Sequence, residues 1–511
     1  MVECVFFESE DLMLENNQLS IHHLKDSKPI ITDLHLIVNP GEKLAIIGEE
    51  GTGKSSLLKT IVSPKLIASY ADYTGQIRNQ FKKIGYLPQF LSKNENDQTI
   101  SDFLYKNMDY LFNYTAFYQM AAQLGLNLAT LEEKNQLLSS LSGGEKLKLQ
   151  LSKLTGQEAD LLLLDEPSSD HDIDSQVVLK KFIQESNKTI IFISHDEAIF
   201  EDTATAILHL EFLKHRQLPR ASYFQGKYLD YLKQRQSTYT KQLQEAKNDY
   251  RLKKKRDAKI HRIHQAAQYN VRHTHDSTLG RLAAKKMKTV LSLEKRYQKE
   301  DSNRVDFPEN MDNIALFFND ISTLDKNKRI LSWKKHQLPT GQKINLDIFG
   351  QDKLVITGKN GIGKTRLIKQ IYHDLNQNQQ LSIGYMPQDY DSFFSKEIST
   401  LEFLDDVANE NTARTILACL QFTREEMEHS ALNLSGGQKA KLFLAHMVLS
   451  KNQVIILDEP TRHLSPTSQP LIRELFLNYP GCIISVSHDQ HFIQTVARKH
   501  YRLTENSLDS N

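Results

Sequence analysis

The feature that most constrains the fold is an internal repeat. Residues 44–60 read LAIIGEEGTGKSSLLKT, and residues 354–370 read LVITGKNGIGKTRLIKQ. Each segment is an apolar run, a turn that matches GxxxxGK[ST] and the start of a helical pattern, which is the sequence of a strand, a phosphate-binding loop and a helix. One such pattern can arise by chance, whereas further motifs that also occur twice would indicate a true repeat.

Three more motifs follow each Gly-rich loop in the same order. The motif pairs are LSGGE (141–145) and LSGGQ (434–438), LLLLDEP (161–167) and VIILDEP (454–460), and IIFISHD (190–196) and CIISVSHD (482–489). From the serine of LSGG to the aspartate of DEP is 23 residues in both copies, and from the next glutamate to the histidine is 29 in both. One acidic strand end or one Ser-Gly-Gly turn often has only a structural role. Two complete sets with equal spacing predict two homologous α/β nucleotide-binding domains in tandem.

The Gly-rich loops predict where a triphosphate binds. Backbone N–H groups of the loop and the helix N-terminus would surround the phosphates. Lys54 and Lys364 would reach the β- and γ-phosphates, and the next hydroxyl in each loop would ligate Mg²⁺. The candidate ATP-binding residues in the loops are Gly48, Gly51, Gly53, Lys54, Ser55, Ser56, Gly358, Asn360, Gly361, Gly363, Lys364, Thr365 and Arg366.

An LSGG motif between a phosphate-binding loop and a DEP strand is typical of ATP-binding-cassette (ABC) ATPases, and both halves of this chain resemble that family. The resemblance covers nearly the whole chain outside a basic middle segment. It implies a monomer whose two cassettes enclose two ATP molecules head to tail. Each ATP would lie between the P-loop of one cassette and the LSGG signature of the other.

The resemblance also implies roles for individual residues. The glutamates of the two DEP motifs would polarise the attacking water, and the histidines would lie near the γ-phosphate. The glutamines of GYLPQ and GYMPQ would contact the metal and the water. The catalytic candidates are Glu166, Glu459, His195, His488, Gln89 and Gln388. The Mg²⁺ candidates are Ser55, Thr365, Asp165, Asp458, Gln89 and Gln388. The signature donors to the γ-phosphate are Ser142, Gly143, Gly144, Ser435, Gly436 and Gly437.

Three departures from the family pattern predict unequal sites. Glu49 and Glu50 stand in the first P-loop where an uncharged residue and Asn are usual, and two carboxylates should weaken triphosphate binding unless they point away. Ser465 replaces the aspartate expected after the second DEP, whereas the first copy keeps Asp172. His23 is the only candidate for an adenine-stacking ring. We therefore expect the site built on the second P-loop to dominate ATP turnover.

The middle of the chain concentrates positive charge. Residues 251–288 hold twelve Lys and Arg against two Asp, a net +10 in a chain whose net charge is +1. Apolar residues recur three and four positions apart, which predicts one helix over about 229–267 and another after a loop at 268–280. A solvated spacer would also be basic, but this excess is more than solubility needs and is typical of a surface that binds nucleic-acid phosphates. The candidate RNA-contacting residues are Lys253, Lys254, Lys255, Arg256, Tyr269, Arg272, His273, His275, Lys285, Lys286 and Lys288.

Two cassettes joined by a basic two-helix linker resemble the ABC-F family, and LGRLAAKKMKTVLSLEKR in the linker resembles its Lsa- and Vga-like antibiotic-resistance members. This resemblance implies binding at the ribosomal tRNA exit site, contact with large-subunit rRNA, and P-site tRNA as a further candidate partner. It also implies protection against lincosamides, pleuromutilins and group A streptogramins. The alternatives are an ABC-F translation factor that relieves stalled ribosomes and, less well matched, the ATPase of a drug exporter or a DNA-acting ABC protein.

Composition agrees with these expectations. No apolar run approaches the roughly 18 residues of a membrane span, and the N-terminus does not have the pattern of a signal peptide. Three well-separated cysteines predict reduced thiols in a cytoplasmic protein. The predicted organisation is a first cassette over 1–228, a helical-hairpin linker over 229–303 and a second cassette over 304–511.

Overall fold

A computed structural model gives the structure of the chain. It describes residues 13–105, 112–133, 136–167, 173–213, 218–273, 277–301, 316, 318, 321–378, 380–394 and 398–510. The chain forms two compact units. The first contains residues Met1–Tyr228 and Met311–Asn511, and the second contains Leu229–Asn310.

The N-terminal half of the first unit contains nine strands and eight helices in its described ranges. The strands are β1 (Leu14–His23), β2 (Pro29–Val38), β3 (Lys43–Ile47), β4 (Ala71–Asn79), β5 (Ile84–Leu87), β6 (Leu161–Asp165), β7 (Thr189–Ile193), β8 (Ala206–Leu213) and β9 (Leu218–Gln225). The helices are α1 (Lys54–Val62), α2 (Lys93–Asn96), α3 (Ile100–Tyr105), α4 (Tyr114–Gln123), α5 (Leu128–Glu133), α6 (Gly143–Gly156), α7 (Ile173–Glu185) and α8 (Glu197–Thr203).

The second unit contains two long helices. They are α9 (Tyr228–His273), whose first residue still belongs to the first unit, and α10 (Ser277–Asp301). The 46 residues of α9 correspond to about 69 Å at 1.5 Å per residue. The guanidinium of Arg256 lies 4.6 Å from the centre of the Tyr297 ring, so the middle of α9 packs on the C-terminal part of α10, as in an antiparallel hairpin. Ala246 and Val290 are buried.

The predicted loop at 268–280 is wrong over most of its length. Residues 268–273 continue α9 and residues 277–280 begin α10, and 274–276 lie outside the described residues. The segment QYNVRH has no Pro or Gly. Each of its weaker helix formers costs only about 0.5–0.7 kcal/mol relative to Ala, which a long helix absorbs because propagation is cooperative.

The C-terminal half of the first unit repeats the first with fewer strands. Its strands are β10 (Arg329–Gln337), β11 (Lys343–Phe349), β12 (Lys353–Gly358), β13 (Ile383–Met386), β14 (Val454–Asp458), β15 (Cys482–Val486), β16 (Lys499–Leu503) and β17 (Leu508–Ser510). Its helices are α11 (Lys364–Asn376), α12 (Glu410–Cys419), α13 (Arg424–Glu428), α14 (Gly436–Leu449), α15 (Gln469–Leu477) and α16 (Gln490–Val496).

The two halves have main sheets of the same topology. The strand orders are β5-β6-β7-β3-β8-β9 and β13-β14-β15-β12-β16-β17, and in both sheets only the last pair is antiparallel. The central strands β3, β6, β7, β14 and β15 are buried along their whole length, as expected for parallel strands covered on both faces. This topology brings the carboxyl ends of the parallel strands, where the predicted motifs begin, to one edge of each sheet.

Candidate active sites

In the first cassette, four motifs that are distant in sequence meet at the carboxyl edge of the sheet. The Ser55 hydroxyl donates a hydrogen bond of 2.8 Å to Oδ1 of Asp165. The Gln89 amide donates to Oε2 of Glu166 at 2.6 Å, and Nε2 of His195 lies 3.0 Å from Oε1 of the same glutamate. The loop, the glutamine, the DEP strand and the histidine therefore form one cluster, as the resemblance to ABC ATPases implies.

Both DEP glutamates have an unusual backbone. Glu166 has φ of 49° and Glu459 has φ of 55°, which is the left-handed region. A residue with a side chain adopts this conformation at a cost of about 1–2 kcal/mol. Such strain clusters at functional sites, and here it occurs at the same motif position in both cassettes. It turns each carboxylate sharply out of the strand that precedes it.

The glycine before each P-loop lysine is required by geometry. Gly53 and Gly363 precede the helices α1 and α11 with φ of 91° and 105°. A Cβ at Gly53 would lie 2.4 Å from the Ile30 side chain, and one at Gly363 would lie 2.9 Å from Thr340. Both positions therefore exclude larger residues, and each loop can turn directly into its helix N-terminus.

The second cassette places the equivalent groups around a large cavity. Nζ of Lys364 donates to the carbonyls of Gly358 and Lys359 at 2.8 and 3.0 Å. The backbone N–H of His488 donates to Oε2 of Glu459 at 3.2 Å, and its ring Nε2 lies 3.6 Å from Oε1. The cavity has a volume of about 800 Å³. Residues of the second cassette that line it include Asn360, Gly361, Gly363, Lys364, Thr365, Arg366, Gln388, Asp458, Glu459 and His488. The first cassette also lines this cavity, with Glu50, Gln89, Glu166 and His195.

The strand-end aspartates suit a Mg²⁺ site. Asp165 and Asp458 are both 1 % exposed, and burial raises the pKa of each carboxyl. Both oxygens of Asp458 lack a hydrogen bond of normal geometry from the described residues, so they are available to a cation. No group of three His, Cys, Asp or Glu in the described residues is arranged to hold a metal. One carboxylate, one P-loop hydroxyl and substrate phosphates are the usual Mg²⁺ ligands, and the residues present fit that ion.

The first P-loop lysine is buried and donates to its own loop. Lys54 is 5 % exposed, and its Nζ donates to the carbonyls of Gly48 and Glu49, both at 2.9 Å. Burial lowers the pKa of Lys54, and nearby carboxylates, Glu166 first among them, oppose that effect. The ammonium would form charge-assisted hydrogen bonds with a phosphate chain bound in this loop.

The acidic residues of the first P-loop point at the second cassette. Oε2 of Glu50 accepts a 3.0 Å hydrogen bond from the backbone N–H of Gly437, in the second signature. Nδ1 of His463 lies 3.2 Å from Oε1 of Glu50, and Nζ of Lys441 lies 2.6 Å from Oε1 of Glu49. Burial opposes ionisation of Glu50, but the contacts with His463 and Gly437 lower its pKa. The structure thus pairs the first P-loop with the second signature.

Sequence reasoning missed His463 and Lys441. A signal was present, because two adjacent carboxylates in a P-loop require a counter-charge, but the sequence does not show which cation supplies it.

The segment after the second DEP motif also crosses the interface. Nε2 of Gln469 donates to the carbonyl of His195 at 2.7 Å. Ser465, at the position where Asp is expected, lies 2.7 Å from the hydroxyl of Ser468, the residue before α15. Asp172 lies outside the described residues.

The two LSGG signatures have the same local structure but different surroundings. Ser142 and Ser435 each accept a hydrogen bond from the backbone three residues later, in a capping box at the start of α6 or α14. Ser142 is exposed, and the described residues that line the 800 Å³ cavity do not include it. The signature at Ser435 instead meets the first P-loop around a space of only about 10 Å³.

Other predicted residues are placed as follows. The Ser56 hydroxyl lies 3.3 Å from that of Tyr70, and His23 lies at the end of β1, 3.6 Å from Asp26. Lys254, Lys255, Lys285 and Lys288 are exposed on the linker helices, Lys253 is half-buried, and Arg256 stacks on Tyr297. Tyr269 is 64 % exposed. Arg272 and His273 lie in the last turn of α9 and Lys286 lies in α10, whereas His275 lies outside the described residues.

Comparison with known proteins identifies the class to which these cassettes belong. The family model described as "ABC transporter" matches the chain twice, over residues 31–169 and 341–462. The chain therefore belongs to the ABC family and carries two ATP-binding ATPase domains. In the part of the chain that the structure describes, no helix has both the length and the apolar character needed to cross a membrane.

Its relatives are ABC-F type ATP-binding proteins, which confirms the resemblance stated from the sequence. The erythromycin resistance ATP-binding protein MsrA of Staphylococcus epidermidis is 28% identical over 98% of this chain and 99% of its own length. The ribosome protection protein VmlR of Bacillus subtilis is 26% identical over 96% of this chain and 86% of its own. The putative ATP-binding protein YdiF of Bacillus subtilis is 26% identical over 98% of this chain and 81% of its own.

Solved structures confirm the tandem fold. The archaeal ribosome recycling factor aABCE1, in complex with the ribosomal stalk protein aP1, superposes with a TM-score of 0.57 at 15% identity. The match covers 96% of this chain and 89% of the other. At this identity the similarity concerns the fold alone.

Proposed function

We propose that this chain is an ATPase that binds the ribosome and protects it from antibiotics that act on the large subunit. Mg·ATP would bring the cassettes together, and hydrolysis would release them. The site residues would act as the sequence predicts. Asp165 and Asp458 would hold Mg²⁺ with Ser55 and Thr365, Mg²⁺ would neutralise phosphate charge, and the DEP glutamates would orient the attacking water.

The observation that carries this proposal is the linker hairpin. It combines about 69 Å of helix in α9 with exposed lysines on both helices and an exposed tyrosine near its tip. A narrow basic rod can enter a groove between phosphate backbones, and an exposed ring there can stack on an unpaired base. Two relatives that align along nearly the whole chain support the same reading, because their names refer to ribosome protection and erythromycin resistance.

Expression in a susceptible bacterium tests the proposal. The panel would contain a lincosamide, a pleuromutilin, a group A streptogramin and erythromycin, the last because of the name of the relative MsrA. We expect a rise in minimum inhibitory concentration for at least one drug, without reduced accumulation of that drug. The matched control is the Glu166→Gln/Glu459→Gln variant. Unchanged inhibitory concentrations for the whole panel would contradict the proposal.

The linker tip provides a second test. Replacing Tyr269, Arg272, His273 and His275 with Ala should leave ATPase activity and ribosome binding nearly intact, because the cassettes and the basic flanks of the hairpin are unchanged. Protection should be lost or its drug spectrum should change. ATPase rate, ribosome co-sedimentation and inhibitory concentrations would be measured on the same variants. If protection equals that of wild type for every drug, the tip is only a spacer.

The second candidate is a translation factor of the same family that relieves stalled ribosomes without conferring resistance. The hairpin and the two cassettes suit this role equally well. It predicts that the protein restores peptide synthesis on stalled ribosomes in a purified translation system that contains no drug. Drug-dependent rescue alone favours protection, and drug-independent rescue alone favours the translation factor.

A further inference from the structure

We propose that Glu50 is an internal ligand of the second signature, which ATP must displace before it can occupy the first site. The carboxylate would act as a built-in substitute for a phosphate and would make the first site the more demanding of the two for nucleotide. This inference concerns the cassettes alone. It can be tested on purified protein, so it does not depend on the ribosomal role.

Geometry is the first observation that supports this role of Glu50. Ser435, Gly436 and Gly437 begin the 14-residue helix α14, whose first N–H groups have no partner within the helix. A negative charge is favoured there, and Oε2 of Glu50 accepts a hydrogen bond from the N–H of Gly437 at 3.0 Å. The remaining space at this contact is about 10 Å³, which is far too small for a triphosphate.

The second step is charge balance. Lys441 has a side chain only 4 % exposed, and its ammonium pairs with Glu49 at 2.6 Å. His463 lies against the other oxygen of Glu50 at 3.2 Å. The second cassette therefore supplies a cation for one carboxylate, and an imidazole and an amide for the other. Such a partly buried set is stabilising only while all its members are paired, so it favours the joined state of this interface.

The third step is the contrast with the other side. The second P-loop carries Lys359 and Asn360 where the first carries Glu49 and Glu50. In the first signature helix, Lys148 holds the position equivalent to Lys441. A lysine facing Lys359 could form no such pair. The acidic contact thus belongs to one of the two interfaces. The second P-loop opens onto the cavity of about 800 Å³, which Glu50 also borders.

Binding measurements test the displacement. In a Lys364→Met background, which weakens the second site, a radiolabelled non-hydrolysable ATP analogue with Mg²⁺ reports on the first site by equilibrium dialysis. In the Glu50→Asn variant the carboxylate no longer competes with the nucleotide for the second signature. Loss of one charge-assisted hydrogen bond corresponds to roughly tenfold in affinity, so this variant should bind the analogue about tenfold more tightly than the chain that keeps Glu50. Glu50→Asp, which keeps the charge, should bind more weakly than Glu50→Asn. Equal or weaker binding by Glu50→Asn would overturn the proposal.

A distance measurement tests the contact without nucleotide. Spin labels at the exposed positions Lys188 and Asn478, one in each cassette, would be placed in a chain with Cys4 and Cys419 changed to Ser. Glu50→Ala and Lys441→Glu should lengthen and broaden the distance distribution. Glu49→Lys combined with Lys441→Glu should restore it, and Lys148→Met, the matched control, should leave it unchanged. An unchanged distribution in Glu50→Ala, or no restoration by the charge swap, would show that the contact does not hold the cassettes.

Discussion

The two strand-end aspartates occupy equivalent positions but differ in their partners. Asp165 accepts hydrogen bonds from Ser55 and from Tyr86, at 2.8 and 3.2 Å. The oxygens of Asp458 accept none of normal geometry from the described residues, and the equivalent tyrosine, Tyr385, has no hydrogen-bond partner there either. The second site therefore contains more buried polar atoms that lack a hydrogen-bond partner among the described residues, as expected of a site that binds a charged ligand.

We expect Asp458→Asn to stabilise the nucleotide-free protein while abolishing ATP hydrolysis at the second site. The change removes a buried, poorly compensated charge, and an effect of about 1 kcal/mol corresponds to a rise of roughly 2–4 °C in melting temperature. Differential scanning calorimetry would measure the shift. The matched variant Asp165→Asn should gain less, because that carboxylate already accepts two hydrogen bonds. A lower melting temperature for Asp458→Asn than for Asp165→Asn would contradict the argument.

Single substitutions of the two DEP glutamates should have unequal effects. Removing a general base costs about 10²–10⁴ in rate, and we expect Glu459→Gln to lower total turnover more than Glu166→Gln. The reason is that Asn360, Lys364 and Thr365 of the second P-loop line the large cavity, whereas Glu50 is the one residue of the first P-loop among its described lining residues and also contacts the second signature. Steady-state phosphate release would be compared at saturating Mg·ATP. Equal losses would mean that the two sites contribute equally.

Residues inside the motifs could be predicted because each motif is local. The resemblance to ABC ATPases implied that Glu166, Gln89 and His195 act in one site, and the structure joins them by hydrogen bonds. The partners of Glu50 could not be predicted, because Gly437 is 387 residues away and the contact depends on how two folded cassettes meet. The sequence did indicate that this carboxylate required an explanation.

At the scale of elements, periodicity predicted two linker helices, and both are present. It failed at their ends, because six more residues of α9 (QYNVRH) and the first turn of α10 (STLG) show no apolar repeat. Helix propagation is cooperative, so a long helix can continue through residues that lack this repeat. The basic side chains also divide into two groups. Arg256 packs on Tyr297 inside the hairpin, whereas Lys254, Lys255, Lys285 and Lys288 remain exposed.

We expect the four exposed lysines to account for much of the electrostatic part of ribosome binding. Each phosphate contact contributes about 0.7–0.9 to the slope of log affinity against log salt. Changing Lys254, Lys255, Lys285 and Lys288 to Gln should therefore weaken binding and reduce that slope by up to about 3. Co-sedimentation at several salt concentrations would measure both. The control changes Lys65, Lys82, Lys188 and Lys326, which are exposed on the cassettes, and a similar loss there would remove the special role of the linker.

At the scale of the whole molecule, the cassettes are joined by charge as well as by the P-loop contact. Nη1 of Arg473 in α15 lies 2.5 Å from Oε2 of Glu197 in α8, and Nε2 of His491 lies 3.1 Å from Oε2 of Glu201. Glu197 is only 2 % exposed. Burial raises the pKa of Glu197, and Arg473 opposes that effect. The joined state of the cassettes therefore depends on the Arg473–Glu197 ion pair and on the His491–Glu201 contact, both of which exist only across the interface.

We expect Arg473→Met to lower the melting temperature clearly, because it leaves the buried Glu197 carboxylate without its cation. Breaking a buried pair on one side costs about 3–5 kcal/mol. Adding Glu197→Gln should recover most of the loss, since both charges are then absent. Thermal melting of the two single variants and the double variant forms the cycle. Additive losses would mean that the pair contributes no coupling energy.

The order of strands has a consequence for synthesis of the chain. The first sheet is complete once Gln225 has left the ribosome, because all its strands come from residues 43–225. Gly437, the hydrogen-bond partner of Glu50, is synthesised much later. At about 5–20 residues per second of chain synthesis, it emerges roughly 20–80 seconds after Glu50. During that interval the surface of the first cassette that will contact the second cassette is exposed to solvent. Because two carboxylates on that face favour hydration and repel a second copy of the same face, we expect them to disfavour association of half-made chains.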